Sequence, residues 1–189
     1  TAVGKSALTA NTTGTRNTAV GYHSLATVTT VNDNTAFGYD ALRANTTATE
    51  NVAVGSYALD TNTTGGNNTA VGYKAMDANT TGATNTAIGT SALATNITTS
   101  YNTAVGYRAL TNNVAANNTA VGYDALLLNT TGDANVAVGT TALDANTTGA
   151  NNTGLGWSAL GLNTTGASNV GVGRDSLRSN TTASYNVGV

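Results

Sequence analysis

Asn68 to Thr84 reads N-T-A-V-G-Y-K-A-M-D-A-N-T-T-G-A-T, and the next residues, from Asn85, start the same pattern again as N-T-A-I-G-T-S-A-L. The motif begins at Asn17 and recurs at Asn34, Asn51, Asn68, Asn85, Asn102, Asn118, Asn135, Asn152, Asn169 and Asn186. Each interval is 17 residues, except the 16 between Asn102 and Asn118. A short fixed period that fills a chain marks a stacked-repeat architecture, because one unit cannot bury its own apolar residues. The unit is N-T-A-V-G-Y-x-A-L-x-x-N-T-T-G-x-x, with slots numbered 1 to 17.

Slot 4 is large and apolar throughout, from Val3, Val20 and Phe37 to Leu155, Val172 and Val189, and slot 9 is Leu or, at Met76, Met. Stacking aligns both sets into continuous ladders, and two apolar ladders are expected to form the core. Slot 3 is Ala or Gly and slot 5 is Gly, whereas slots 2, 4 and 6 carry Thr or Val, Val and often Tyr. Side chains alternate across a strand, so slots 1, 3 and 5 share a nearly bare face. The N-T-T-G of slots 12 to 15 is turn chemistry, with Asn bonding nearby backbone and Gly supplying positive φ. Gly, Thr, Asn and Val are poor helix formers, and no 3.6-residue period is sustained. Strand, turn, short strand, turn is the expected coil.

The expected fold is all-β, a parallel β-solenoid or β-roll of about eleven 17-residue coils, forming one repeat domain over 1–189. At roughly 4.8 Å between strands the rod is on the order of 50 Å long. The sequence opens at slot 2 and stops at slot 4, so the repeat is expected to continue on both sides as part of a longer fibre. A bare face lets backbone approach backbone, which makes Gly21, Gly38, Gly72, Gly89, Gly106 and Gly122 the expected interchain face.

Composition narrows the function. Thr, Ala, Asn and Gly supply nearly two thirds of the 189 residues, charged residues only 8 %, and the formal charge is −2. Seven scattered Lys and Arg give no basic stripe for nucleic acid. No apolar run approaches the roughly 18 residues of a membrane span. With no cysteine, disulfides and thiolate metal sites drop out.

Runs such as Asn68 to Met76 and Asn85 to Leu93 resemble the head repeats of trimeric autotransporter adhesins of the YadA type. They are also similar to repeats of phage tail-fibre-like proteins. The resemblance covers the whole chain and implies a left-handed β-roll with three chains side by side in a homotrimer. It also implies an extracellular location, on a cell surface or virion fibre, with a host surface glycan or protein as a further partner. The 17-residue unit is longer than the adhesin unit, and neck, stalk and membrane anchor are missing from these residues.

Catalytic candidates are few. His23, the only histidine, occupies the variable slot 7 and is read as solvent-facing. Asp40, Asp60, Asp77, Asp124, Asp144 and Asp175 fall singly on different coils, without a G-G-x-G-x-D calcium repeat, and read as solvated surface. No enzyme, cofactor or metal is expected. Slot 1 Asn reads as a structural amide ladder. The slot 6 residues Tyr22, Tyr39, Tyr73, Tyr107, Tyr123 and Trp157 form an aromatic ladder, read as cross-coil or interchain packing with sugar stacking as the alternative. Sequons N-x-T fall at Asn11, Asn45, Asn62, Asn79, Asn96, Asn129, Asn146, Asn163 and Asn180 through the turn motif, and at Asn67, Asn117 and Asn151. Each is a possible N-glycosylation site that turn geometry explains without any glycan. Ice binding through Thr ranks fits poorly, since the abundant Thr pairs are adjacent rather than alternate.

The leading reading is a structural fibre segment that displays adhesive parts; a glycan-binding solenoid is second.

Overall fold

A computed structural model describes residues 1–189 as an all-β solenoid without a helix. Twelve strands, from Ala2–Val3 and Thr18–Val20 to Val187–Gly188, form a single parallel sheet in which each strand pairs with its sequence neighbours. Register advances one repeat per coil: Ala53 lies against Ala70 and Val54 against Val71. Across the short unit Val105 still meets Val121. The missing residue is absorbed in the turn, where Asn113 keeps its ladder place and accepts from Asn129 Nδ2 at 2.8 Å.

Each full coil holds one strand of three residues, such as Val52–Val54, and the expected second strand does not form. Slots 7, 9 and 17 have positive φ in every coil, for example Tyr57 at 60°, Leu59 at 52° and Asn67 at 60°. Those angles reverse the direction of the peptides. Tyr57 N–H donates back to Tyr39 O at 2.9 Å, and Leu59 N–H donates forward to Ala75 O at 3.1 Å. A left-handed non-glycine residue costs about 1–2 kcal/mol. Here the cost is offset by two cross-coil bonds and a fully buried leucine side chain.

The interior has an apolar half and an amide half. The slot 9 ladder from Leu25 to Leu160 is fully buried, with slot 3 and slot 8 alanines such as Ala53 and Ala58 packed around it. Opposite lie two asparagine ladders. At slot 1 each backbone N–H donates to the previous Asn Oδ1, as Asn68 to Asn51 and Asn85 to Asn68, both at 2.9 Å. The slot 1 Nδ2 reaches a turn carbonyl one coil on, as Asn68 to Gly82 O at 2.8 Å. At slot 12 Nδ2 closes its own turn and also donates down the ladder: Asn79 bonds Gly82 O at 2.9 Å and Asn62 Oδ1 at 2.8 Å. Buried amides are tolerated because nearly every one is paired.

The slot 4 ladder, expected in the core, faces outward. Phe37 is 51 % exposed and Ile88 40 %, while the intervening Ala36, Ala53, Ala70 and Ala87 are fully buried. The strand shows its odd slots to the interior, where a coil of this circumference has room for Ala beside Leu but not for a second large side chain.

The slot 1 and slot 3 residues of the bare face are enclosed, and its half-exposed slot 5 glycines lie against the neighbouring coil of the same chain, which corrects the expected interchain face. Gly21, Gly38, Gly72, Gly89, Gly106 and Gly122 each sit against the glycine backbone of the next coil of the same chain. Gly72 has φ +135°, and a Cβ there would stand 2.6 Å from Gly89 O. Positive φ belongs to these glycines and not to the turn glycines at slot 15, where the missing Cβ makes room first for the carbonyl of the next turn and then for an asparagine side chain, as Gly65 does for Gly82 O and Asn62.

Candidate functional site

Two outward ranks follow the rod. The first is the solvent face of the sheet, made by slots 2 and 4. Slot 4 supplies Val20, Phe37, Val54, Val71, Ile88, Val105, Val121, Val138, Leu155 and Val172, none of them buried. Slot 2 supplies Thr in seven strands and Val in four, and no charged side chain occupies slots 2 to 4 of any coil. A sheet face that stays in water is ordinarily polar, alternating with the face that packs on the core. This face has no charged side chain.

The second rank is aromatic. Tyr22 stacks on Tyr39 with ring centroids 5.2 Å apart and planes at 15°, and Tyr107 stacks on Tyr123 at 5.4 Å and 13°. Tyr39, Tyr73, Tyr107, Tyr123 and Trp157 remain close to half exposed. Neighbouring rings and cations lie against several of them. Lys5 Nζ lies 5.9 Å from the Tyr22 ring, Lys74 Nζ 5.8 Å from Tyr73, Arg108 5.2 Å from Tyr107, and Arg174 4.6 Å from Trp157. Tyr57, a slot 7 residue not anticipated from the sequence, joins this rank between Tyr39 and Tyr73. A tyrosine at a slot otherwise polar or charged was the available signal.

Charged side chains pair between successive coils. Arg16 meets Asp33 at 2.6 Å, Arg43 meets Asp60 at 2.7 Å and Arg108 meets Asp124 at 2.5 Å, the cation always in the earlier coil. Hydrogen bonding to Arg16 holds Asp33 below its ordinary pKa, and bonding to the carboxylates raises the three arginines. Asp40 and Asp124 are buried rather than solvated. His23 is half-buried, its Nδ1 3.4 Å from Asp40 Oδ1, so the expected free surface histidine stands beside a carboxylate one coil on. Together with Ala26, Thr27, Arg43 and Ala44 it lines a shallow cavity of about 290 Å³. The Asp40 charge raises the Tyr39 pKa. Burial raises Asp77 and Asp144, two of the three half-buried slot 10 carboxylates. No set of three or more His, Asp or Glu side chains converges as a metal site.

The turn sequons are closed. Asn45, Asn62, Asn79, Asn129, Asn146 and Asn163 are fully buried, and each Nδ2 is already donated to its own turn carbonyl. Asn11 and Asn180 donate likewise to Gly14 O and Ala183 O. In the folded chain their amide nitrogens belong to the ladder, which corrects their reading as acceptors of glycan. Asn67, Asn117 and Asn151, at slot 17, are exposed. Slot 13 threonines likewise spend their hydroxyls on the next coil, as Thr63 Oγ1 to Thr80 O at 3.0 Å, which leaves no paired rank of free hydroxyls. No helix is long and apolar enough to cross a membrane.

No family model, curated protein or solved structure matches the chain.

Proposed function

We propose that the chain is a structural segment of an extracellular or virion fibre, a rigid solenoid whose copies associate side by side through the slot 2 and slot 4 face of the sheet. The observation that carries this is the uncharged apolar rank from Val20 to Val172, outward in every coil. Twelve strands at roughly 4.8 Å and three residues at roughly 3.3 Å give a face of about 570 Å², along which the slot 4 side chains run as a continuous apolar stripe beside the slot 2 threonines and valines. A contiguous exposed apolar patch above a few hundred Å² marks an interaction site. A second copy is the occupant that fits, because an identical rod repeats with the same rise and can match the face rung for rung. Three chains are the number that the resemblance to adhesin head repeats implies. The displayed receptor-binding parts and the cellular or viral setting rest on that resemblance as well.

Small-angle scattering of the purified chain tests this reading. It predicts a rod on the order of 50 Å or more in length, with a cross-section wider than one coil and a mass that is a multiple of 18.7 kDa. A profile fitted by one isolated solenoid at all concentrations contradicts it.

A further inference from the structure

Slot 6 is small in three of the inner coils: Ser56, Thr90 and Thr140. Each leaves a gap between aromatic walls two coil rises apart, roughly 10 Å. The Ser56 gap shows what such a space holds. Tyr57 turns into it, 5.3 Å from Tyr39 and 6.2 Å from Tyr73, with its plane at 63° and 81° to theirs. A six-membered ring standing edge-on between two ring faces fills two coil rises.

At Thr140 no such ring is available. The slot 7 neighbour is Thr141, whose short side chain is tied to Thr140 O and Ser158 Oγ, both at 2.8 Å. The outer faces of the walls are taken: Tyr107 stacks on Tyr123, and Arg174, one coil further on, covers Trp157 at 4.6 Å. Neither Tyr123 nor Trp157 has a further ring or cation partner, which leaves the Thr140 side of each open. At the Thr90 gap, by contrast, the chain's own Lys74 and Arg108 lie over the wall rings Tyr73 and Tyr107.

We infer that the gap between Tyr123 and Trp157 is a binding site for one pyranose ring of a neutral glycan. A ring at its midpoint lies about 5 Å from each wall, inside the 4.5–7 Å range of aromatic contact, with its C–H groups directed at the negative ring faces as the edge of Tyr57 is in the Ser56 gap. The sugar hydroxyls then project toward Thr140 and solvent. An ammonium group also satisfies the distance. It is disfavoured because Asp124, the carboxylate beside Tyr123, is already held by Arg108. The site is separate from the strand face, so it stands or falls independently of the fibre reading.

Trp157 is the only tryptophan and reports on the site directly. Its fluorescence is followed while the full chain is titrated with cellotetraose, chitotetraose, maltotetraose and mannotetraose, and separately with choline. At least one oligosaccharide is expected to give a saturable change. Thr140→Tyr, which fills the gap as Tyr57 fills its own, should abolish that change. Tyr123→Leu should weaken binding about tenfold, as loss of one stacked wall implies. Circular dichroism checks both folds, and slot 6 already tolerates small residues, so Tyr123→Leu decides if Thr140→Tyr does not fold. Three results overturn the inference: no saturable response up to about 10 mM, saturation by choline alone, or an undiminished sugar response in the folded variants.

Discussion

Val28 stands one coil above Asn11 in the slot 12 ladder, and because it has no amide, Asn11 Oδ1 is buried without a hydrogen-bond partner. The same atom of Asn62 receives Asn79 Nδ2 at 2.8 Å, and that of Asn146 receives Asn163 Nδ2 at 3.0 Å. Val28 is fully buried, with Val31 at the place of the turn glycine, so in this one coil hydrocarbon replaces the slot 12 amide while Asn17 keeps its place in the slot 1 ladder. The orphaned oxygen is the local cost of that exchange.

Asn79→Val copies the exchange into a regular coil without a companion at slot 15. It removes the donor to Asn62 Oδ1 and the bond that closes the turn at Gly82 O. Leaving a buried acceptor unpaired costs about 1–3 kcal/mol. Urea denaturation followed by circular dichroism should show a loss of that size.

The two apolar ladders should respond in opposite ways. Leu93→Ala opens a cavity in the closed interior and should cost about 2–5 kcal/mol. Ile88→Thr, on the outer face, should change the stability of dilute, unassociated chain by less than about 0.5 kcal/mol. Thermal melts at low concentration separate the two, and equal losses would show that the sheet face is not the outside.

Backbone handedness gives a third pair. Ala134 is exposed at φ +53°, so Ala134→Gly relieves left-handed strain and should stabilise by about 0.5–1 kcal/mol after the added freedom of the unfolded chain is counted. Gly72→Ala forces a side chain into φ +135° and onto Gly89 O, and should cost at least about 3 kcal/mol. That loss should be the same in assembled and dilute samples, because the obstruction lies within one chain.

Asp144 and Asp77 are raised by burial, so folding favours their protonated forms. Their contribution is fully present below the ordinary carboxylate pKa and is lost as pH rises through the raised folded value. Asp144→Asn should therefore raise the melting temperature at pH 7 and leave it nearly unchanged near about pH 3. A melting temperature that falls at pH 7 would show that the carboxylate is held by something other than desolvation.

The period, the turns and the coil stacking were legible because each leaves a mark that recurs in every unit. The inside and the outside were not. Alternation divides slots 1, 3 and 5 from 2, 4 and 6 without saying which set is enclosed, and the rule that large apolar residues go inside points the wrong way for Val71 and Ile88. The better guide was Asn68 and its equivalents, since an amide in every coil shares parity with the alanine and pairs fully only when both are enclosed. The left-handed φ at Leu59 leaves no mark at all, because leucine is not chosen for it; tertiary packing imposes it. The ring partners Tyr22 and Tyr39 were visible from spacing, but Tyr57 entered their rank from a slot with no aromatic pattern. The turn sequons failed for a related reason, since a motif of three residues does not tell whether its asparagine points into a ladder.

Sedimentation of the wild-type chain beside a variant carrying Val54→Lys, Val71→Lys and Ile88→Lys addresses the outer face most directly. All three positions point outward from the sheet, so the variant should keep the circular dichroism of the wild type. The wild type should sediment at a multiple of 18.7 kDa, three for the homotrimer, and the variant at 18.7 kDa. A wild-type chain that sediments as a monomer at about 100 μM, or a folded variant that stays assembled, would contradict association through this face.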